Sequence, residues 1–261
     1  MSLLAIDVGN TNISTGLFFD GEMEGAFKIP VSSEPKQFWP EVECKLGKAR
    51  FKEITTVAIS SVVREMDLNL ADSLAEFYSM NYSGEVPKVS LITKDTRWPL
   101  VSAYKPGLGT DRMLAAIAAA KLHGQPVVTI DIGSAVTVDF VDSEGVFRGG
   151  IILAGAGMRL RALAQFTSAL PEIPIPDKPP LLIGTDTIGC MTSGVHHGMR
   201  QEIQGLVLAI QAEIGKEPSV VLTGQGSQLF RKDRPVGWWI EEWLVLKGIY
   251  FVASEGDDRN D

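Results

Sequence analysis

Two apolar runs near the starts of the two halves of the chain end in the same polar punctuation. Residues 3–9 read LLAIDVG and residues 127–133 read VVTIDIG, an offset of 127 − 3 = 124 positions. The match continues at that offset. Asp7 falls on Asp131, Gly9 on Gly133, Gly21 on Gly145 and Gly25 on Gly149, with Asp20 opposite Glu144. Each copy reads as an apolar strand, an Asp-x-Gly turn, an alternating strand, an acidic-Gly turn and a third strand. Flanking strands and a second turn at one offset point to a duplication. Each half then has an ordinary domain size.

Between these hairpins the period changes. Residues 64–80 carry Met66, Leu70, Leu74 and Phe77 at helical spacing. Residues 54–60 (ITTVAIS) and 89–93 (VSLIT) read as buried strands on either side of that helix. Residues 111–123 form an Ala-rich helix ended by Gly124, with Thr110 as candidate N-cap. Residues 187–214 read as one long helix, or two broken near Gly194 and Gly198. Residues 219–223 (SVVLT) form a strand that runs into Gly224-Gln225-Gly226. Five prolines in residues 171–180 predict an extended surface connection. The final residues, EGDDRND, read as a frayed acidic tail. Strands in meander order with returning helices give an α/β class.

Composition narrows the function classes. The 261 residues are 45% apolar and 21% charged, the proportions of a globular protein. Folding a chain of this size buries roughly 73% of its extended surface. Lys and Arg number 24 against 32 Asp and Glu, a net charge of −8. Such a balance argues against a phosphate backbone or an acidic membrane as partner, because both need a basic face, and leaves room for small anions held in a local pocket. Two cysteines make no disulfide framework in a chain this long, so Cys44 and Cys190 are expected as reduced, buried thiols. No apolar stretch reaches the ~18 residues of a membrane span. The N-terminal MSLLAIDVGN lacks a basic segment before its short apolar run. A cytoplasmic location follows as the expectation.

Three segments carry candidate chemistry. A strand running into Asp-x-Gly lets backbone N–H groups face phosphate oxygens, since glycine permits close approach. Asn10, Thr11 and Asn12 add side-chain donors, and the strand-end carboxylate can hold hydrated Mg²⁺. Two ordinary hairpin turns would account for the same residues. Gly224-Gln225-Gly226 suits contact with a base, ribose or phosphate, or is a plain strand-to-helix turn. In Tyr104-Lys105-Pro106-Gly107-Leu108-Gly109-Thr110-Asp111-Arg112, the prolyl and glycyl residues delay the helix until Thr110. Asp111 there either accepts a proton from a substrate hydroxyl or complements the helix dipole. Arg112 either holds an anion or lies on the surface. His196 and His197 lack partners at metal-ligand spacing and are expected on a solvated helix face. Ser193 lies outside any Gly-x-Ser-x-Gly elbow, which argues against a hydrolase triad.

Taken together these segments resemble the type III pantothenate kinases, of the superfamily that holds acetate and sugar kinases, actin and the heat-shock chaperone ATPases. Asp7-Val8-Gly9-Asn10-Thr11 looks like the family's first phosphate motif. Gly109-Thr110-Asp111-Arg112, preceded by Tyr104 and Pro106, looks like its Gly-x-Asp-Arg substrate motif. The stretch from Asp131-Ile132-Gly133-Ser134-Ala135 to Asp139 looks like its second phosphate motif. Gly149-Gly150 with Gly155, Ala169-Leu170-Pro171, and Gly184-Thr185-Asp186-Thr187 with Ser193-Gly194 follow in the family's order. Four positions depart from it. Ser134 replaces a threonine, Ala154 a proline and Asp186 an asparagine, and Gly-Gln-Gly replaces Gly-Gly.

The resemblance implies duplicated ribonuclease H-like (actin-like ATPase) α/β halves facing across a nucleotide cleft. The halves would span 1–124 and 125–254, with 255–261 as the disordered tail. It implies transfer of the ATP γ-phosphate to the hydroxyl of pantothenate, the first step of coenzyme A synthesis. By the same resemblance Asp111 is the proton acceptor. Tyr104, Gly109, Thr110, Asp111, Arg112 and Thr187 contact pantothenate. Asp7, Val8, Gly9, Asn10, Thr11, Asn12, Ile13 and Ser14, with Ser134, contact the nucleotide. Asp131 holds K⁺ or NH₄⁺, and Asp7 approaches Mg²⁺ through water. A homodimer with the substrate site near its interface is implied as well. Two other readings stay open: another small-molecule kinase of the superfamily, or a silent nucleotide-binding regulator on the same scaffold. Asp7, Asp111, Arg112 and Asp131 together argue against the silent form, which has no chemical need of all four.

Overall fold

The computed structural model describes residues 2–31, 35–63 and 66–257. It divides into two units, one of residues 1–118 with 243–261 and one of residues 119–242. In the first unit β1 (Ser2–Val8), β2 (Asn12–Phe19) and β3 (Glu22–Pro30) form a meander. Helices α1 (Pro35–Leu46) and α2 (Lys48–Lys52), β4 (Thr56–Ser61), α3 (Met66–Asn81) and β5 (Lys88–Ile92) follow. After the short β6 (Val101–Ser102), α4 (Thr110–His123) leads out of the unit. The sheet order is β3-β2-β1-β4-β5, antiparallel across β1–β3 and parallel across β1, β4 and β5. Parallel strands covered on both faces need continuous apolar runs. Leu3, Leu4, Ile6, Val57 and Ile59 accordingly lie fully buried.

The second unit repeats the plan. Strands β7 (Val127–Ile132), β8 (Ala135–Val141) and β9 (Val146–Ala154) form its meander. Helices α5 (Ala156–Phe166) and α6 (Thr187–Ile214), β10 (Ser219–Thr223), a 3₁₀ turn at Gln225–Phe230 and β11 (Trp238–Ile240) complete it. Its strands run β9-β8-β7-β10-β11, with the same alternation of antiparallel and parallel pairs. This is the duplicated ribonuclease H-like plan the sequence predicts.

The duplication is not gap-free, although its sequence offset is constant. Asp7 pairs with Ser14, and Asp131 pairs with Thr137. The second Asp-x-Gly hairpin is therefore one residue tighter. The far hairpin restores the offset, because Ser14 pairs with Lys28 and Thr137 with Ile152, and 152 − 28 is again 124. The pairing shifts at the equivalent place in both, opposite Leu17/Phe18 and Phe140/Val141, where β3 and β9 each carry one unpaired residue, Glu24 and Arg148. One residue lost and one gained cancel in the sequence.

Helices α1, α2 and α3 cover the first sheet through Trp39, Phe51, Leu70 and Leu74. The Trp39 indole donates to the Leu70 carbonyl at 3.1 Å and to Ser73 Oγ at 3.0 Å. In the second unit Met199, Ile203 and Val207 of α6 pack on Val128, Ile130, Val220 and Leu222. Helix α6 is a single 28-residue element, and its Gly194 and Gly198 face open space without breaking it.

Several expectations need revision. The last helix, α7 (Leu244–Asp257), belongs to the first unit, where it packs on β1, β2, β4 and β5. The sequence boundaries at 124/125 and 254/255 do not match this division. Apolar residues 244, 246, 249 and 252 bind α7 to the first sheet, and the helix continues through the start of the acidic tail. Residues 258–261 lie outside the described residues, as do 64 and 65 of the helix expected over 64–80. Cys44 and Cys190 are exposed, on the outer sides of α1 and α6. His196 and His197 are half-buried because the proline-rich connection lies over this part of α6. His197 Nε2 sits 3.1 Å from the Pro180 carbonyl, and Ser193 Oγ donates to the Leu182 carbonyl. Thr110 opens α4 without capping it, since Met113 N–H donates to the Gly109 carbonyl.

Two stability predictions follow from packing and burial. A Cβ at Gly248 would stand 2.2 Å from the Leu114 carbonyl, so α7 meets α4 only because residue 248 has no side chain. Gly248→Ala should destabilise by about 1–3 kcal/mol despite its better helix propensity. Gly198→Ala, in open space, should be neutral or gain up to about 1 kcal/mol. Urea unfolding of both variants compares them, and equal midpoints would remove the contact from the account. Burial, with His197 and Arg200 beside it, holds the His196 imidazole below its ordinary pKa. The unfolded chain then takes the proton first, so stability falls as pH drops through about 6.5. Melting curves from pH 7.5 to 5.5 should show that fall, and His196→Gln should reduce it.

Candidate functional site

In the first unit, β1 ends at Asp7 and Val8, and the chain turns through Gly9, Asn10 and Thr11 into β2. The turn closes with Gly9 N–H donating to the Asn12 carbonyl at 3.1 Å. Asn10 and Thr11 are exposed, while Asp7, Asn12 and Ser14 are half-buried. Val8 and Ile13 lie in the core, so only their backbone groups can meet a nucleotide. The structure thus presents a short polar turn at the end of a central strand.

The substrate motif lies in the same unit. Asp111 stands in the first turn of α4, and its Oδ1 accepts the Arg112 N–H at 2.9 Å. The carboxylate lies against Gly109, where a Cβ would come within 2.4 Å of Oδ1. Glycine at 109 is what lets the carboxylate fold back over the helix start. The Arg112 guanidinium stacks 5.3 Å from the Tyr104 ring centre. Arg112 is 9% exposed and Tyr104 39%, so the tyrosine shields an arginine that would otherwise be solvated. Tyr104, Gly109, Thr110, Asp111 and Arg112 therefore form one cluster, as the motif implies.

The second unit holds the other phosphate turn. Gly133 N–H donates to the Ala135 carbonyl at 2.9 Å, and Gly155 N–H to the Ser134 carbonyl at 3.1 Å. Gly133 and Ser134 are exposed, and Asp131 is half-buried at the end of β7. A Cβ at Gly155 would meet the Gly133 carbonyl at 2.3 Å. Gly224, at φ +77°, lies against Asp131: a Cβ there would stand 2.2 Å from Asp131 Oδ1 and 2.7 Å from the Ile132 carbonyl. At Gly226 the obstacle is the Ile132 side chain, at 2.2 Å. Both glycines of Gly-Gln-Gly are thus required by packing on the phosphate turn, whatever else they contact. A strand end followed by glycines was visible in sequence, but its docking partner was not.

Thr187 begins α6 and is exposed. Asp186 caps this helix, accepting the Gly189 N–H at 2.7 Å. The departure from asparagine keeps the capping oxygen and places its charge at the positive helix end. Gly184 is needed too, because a Cβ would meet the Cys190 nitrogen at 2.3 Å. One residue outside every motif belongs with the first-unit cluster: Ser60, whose hydroxyl donates to Thr110 Oγ1 at 3.0 Å. The sequence signal was a serine pair closing an otherwise apolar strand.

The donor set can be tested against the implied ions. Asp131 Oδ1 and the Ile132 carbonyl both border the space that a Gly224 side chain would fill. All are hard oxygens, suited to an alkali ion. Among the described residues no three His, Cys, Asp or Glu side chains converge as a metal cage. Single strand-end carboxylates suit an ion that keeps most of its waters or binds phosphate oxygens. No helix is long and apolar enough to cross a membrane among the described residues.

Comparison with known proteins places the chain in a family. A type III pantothenate kinase family model matches residues 3–209. A type III pantothenate kinase of Caulobacter vibrioides is 34% identical over 239 residues, covering 88% of each chain. One from Brevibacillus brevis is 29% identical, covering 96% of this chain and 97% of its own. Among solved structures, a Campylobacter jejuni protein described as a putative Baf family transcriptional activator shares the fold. It matches with a TM-score of 0.59 at 16% identity, covering 98% of this chain and 99% of that one. With its duplicated fold and both phosphate turns, the chain belongs to the type III pantothenate kinases, the phosphotransferases that begin coenzyme A biosynthesis.

Proposed function

We propose that this chain phosphorylates pantothenate with Asp111 as proton acceptor, in a K⁺- or NH₄⁺-dependent, Mg²⁺-assisted reaction. The observation that carries the reading is the cluster at the start of α4. Asp111 Oδ1 is engaged by the Arg112 N–H, and Oδ2 is the oxygen that takes the proton of the substrate hydroxyl. As that proton leaves, the hydroxyl oxygen bonds to the γ-phosphorus. The bond from γ-phosphorus to the β,γ-bridging oxygen breaks, and ADP departs with the electron pair. Such a transfer needs alignment and neutralised charge more than covalent help. Arg112, held by Tyr104, faces the pantothenate carboxylate. Gly109 and Thr110 complete that contact.

The polar turn Asp7–Ser14 and Ser134 hold the nucleotide in this reading, with Asp7 reaching Mg²⁺ through water. Asp131 holds the monovalent ion. These ions lower the repulsion that ATP meets in a chain of net charge −8.

A homodimer is part of the same proposal. Phe166, Leu181, Leu182 and Ile183 are 70–80% exposed and Ile188 is 53% exposed. Thr187, the remaining pantothenate contact, lies within that apolar face. A second copy covering the face would enclose the threonine. The chain would work in the cytoplasm, where ATP is abundant.

Two measurements test the chemistry. Asp111→Asn should lower kcat by about 10²-fold or more while ATP binding persists. Turnover near the normal rate would return Asp111 to a helix-dipole role. In a coupled ADP-release assay with pantothenate, activity should rise with K⁺ at constant ionic strength and stay low in Na⁺. Asp131→Ala should abolish both that dependence and most of the rate. Equal rates in the two salts would remove the monovalent ion from the mechanism.

A further inference from the structure

Strand β4 is apolar from Val57 to Ile59, and Ser60 and Ser61 close it in place of aliphatic side chains. Both hydroxyls are used. Ser61 Oγ accepts the Val63 N–H at 3.1 Å and donates to the Val63 carbonyl at 2.7 Å, which closes the turn after the strand. The next N–H, that of Val62, donates to the Val8 carbonyl at 3.1 Å. The strand end is thereby fastened to the first phosphate turn.

Ser60 points elsewhere. It is 1% exposed and stands in parallel register with Asp7. Its hydroxyl donates to Thr110 Oγ1 at 3.0 Å. A buried hydroxyl must find a partner or cost the fold free energy. The partner here is the residue that opens α4, one position before Asp111. Thr110 does not cap its helix, so its side chain is free of the usual threonine role and is turned to the sheet. An alanine at position 60 would keep the strand apolar and buried, yet would leave the start of α4 without this tie.

We propose that Ser60 is a positioning residue for the substrate motif. It sets the side chain of Thr110 and, through the first turn of α4, the direction of the Asp111 carboxylate. It links the strand beside Asp7 to the helix that carries the base. The proposal rests on the reading of Gly109–Arg112 as the pantothenate site.

The test is steady-state kinetics on the full-length chain with each substrate varied in turn. Ser60→Ala should lower kcat/KM for pantothenate by about five- to tenfold, the scale of one neutral hydrogen bond. KM for ATP should stay within about twofold, since the Val62–Val8 tie is untouched. Ser60→Cys, which keeps size and a weak donor, should recover part of the loss. In a Thr110→Val background, Ser60→Ala should have no further effect on pantothenate kinetics. Melting curves of each variant separate a folding defect from misplacement: a variant that melts early but keeps normal pantothenate kinetics when folded counts against the proposal. Equal losses for both substrates, or full additivity with Thr110→Val, would overturn it. If Asp111→Asn abolishes turnover while Ser60→Ala is silent, the site reading stands and the role of Ser60 falls. If the wild-type chain does not phosphorylate pantothenate, both fall together.

Discussion

The parallel pairing beside each central strand is the constraint on which both sites depend. In the first sheet it sets Asp7 beside Ser60, and in the second it sets Asp131 beside Thr223. In each half a carboxylate at the end of the central strand meets a buried hydroxyl residue at the end of its parallel neighbour. Ser60 is 1% exposed and Thr223 is 3% exposed. The side chains of a strand alternate between faces, so slipping the register by one residue would turn the carboxylate toward the other face.

The halves then use the same frame for different work. After Thr223 the second half continues into Gly224 and Gly226, and the chain folds tightly against Asp131 and Ile132. This closeness leaves oxygen atoms bordering a glycine and nothing bulkier. After Ser60 the first half continues into Ser61, and the ties run to Val8 and to Thr110. One neighbour strand supports a turn by removing side chains, the other by adding hydroxyls. The Gly-x-Asp-Arg segment has no counterpart at the repeat offset.

Much of this was legible in the sequence because its signals are local. The Asp-x-Gly turns, the apolar strands and the Ala-rich helix announce themselves within a few residues. Features that depend on distant partners did not. The cancelling one-residue changes in the two hairpins leave the offset at 124, so only pairing exposes them. Helix α1 was hidden by Pro40 within its span, although its Trp39 is fully buried against α3. Helix α7 follows the second half in the chain yet packs in the first unit, and amphipathic spacing does not say which sheet it covers. The motif residues were found by type and spacing, whereas Ser60 looked like the end of a strand.

Glycine explains why the motifs are so dense in that residue, and the explanation differs from simple flexibility. Positions 109, 150, 155, 184, 224, 226 and 248 would each place a Cβ within 2.4 Å of a neighbouring atom. At six of them the nearest atom is a backbone atom or the carboxylate of Asp111 or Asp131. At 226 the obstacle is the buried Ile132 side chain, whose Cβ would stand 2.9 Å away in any rotamer. Close packing thus brings carboxylates and carbonyl groups nearer to the turns than ordinary side chains allow. A chain carrying net negative charge that must accept a polyphosphate gains from such turns. They present N–H groups and single carboxylates at fixed positions, so attraction for the ligand comes from local geometry and not from the overall field. The same packing makes the turns intolerant of substitution, and leaves Gly194 and Gly198, which touch nothing, free to change.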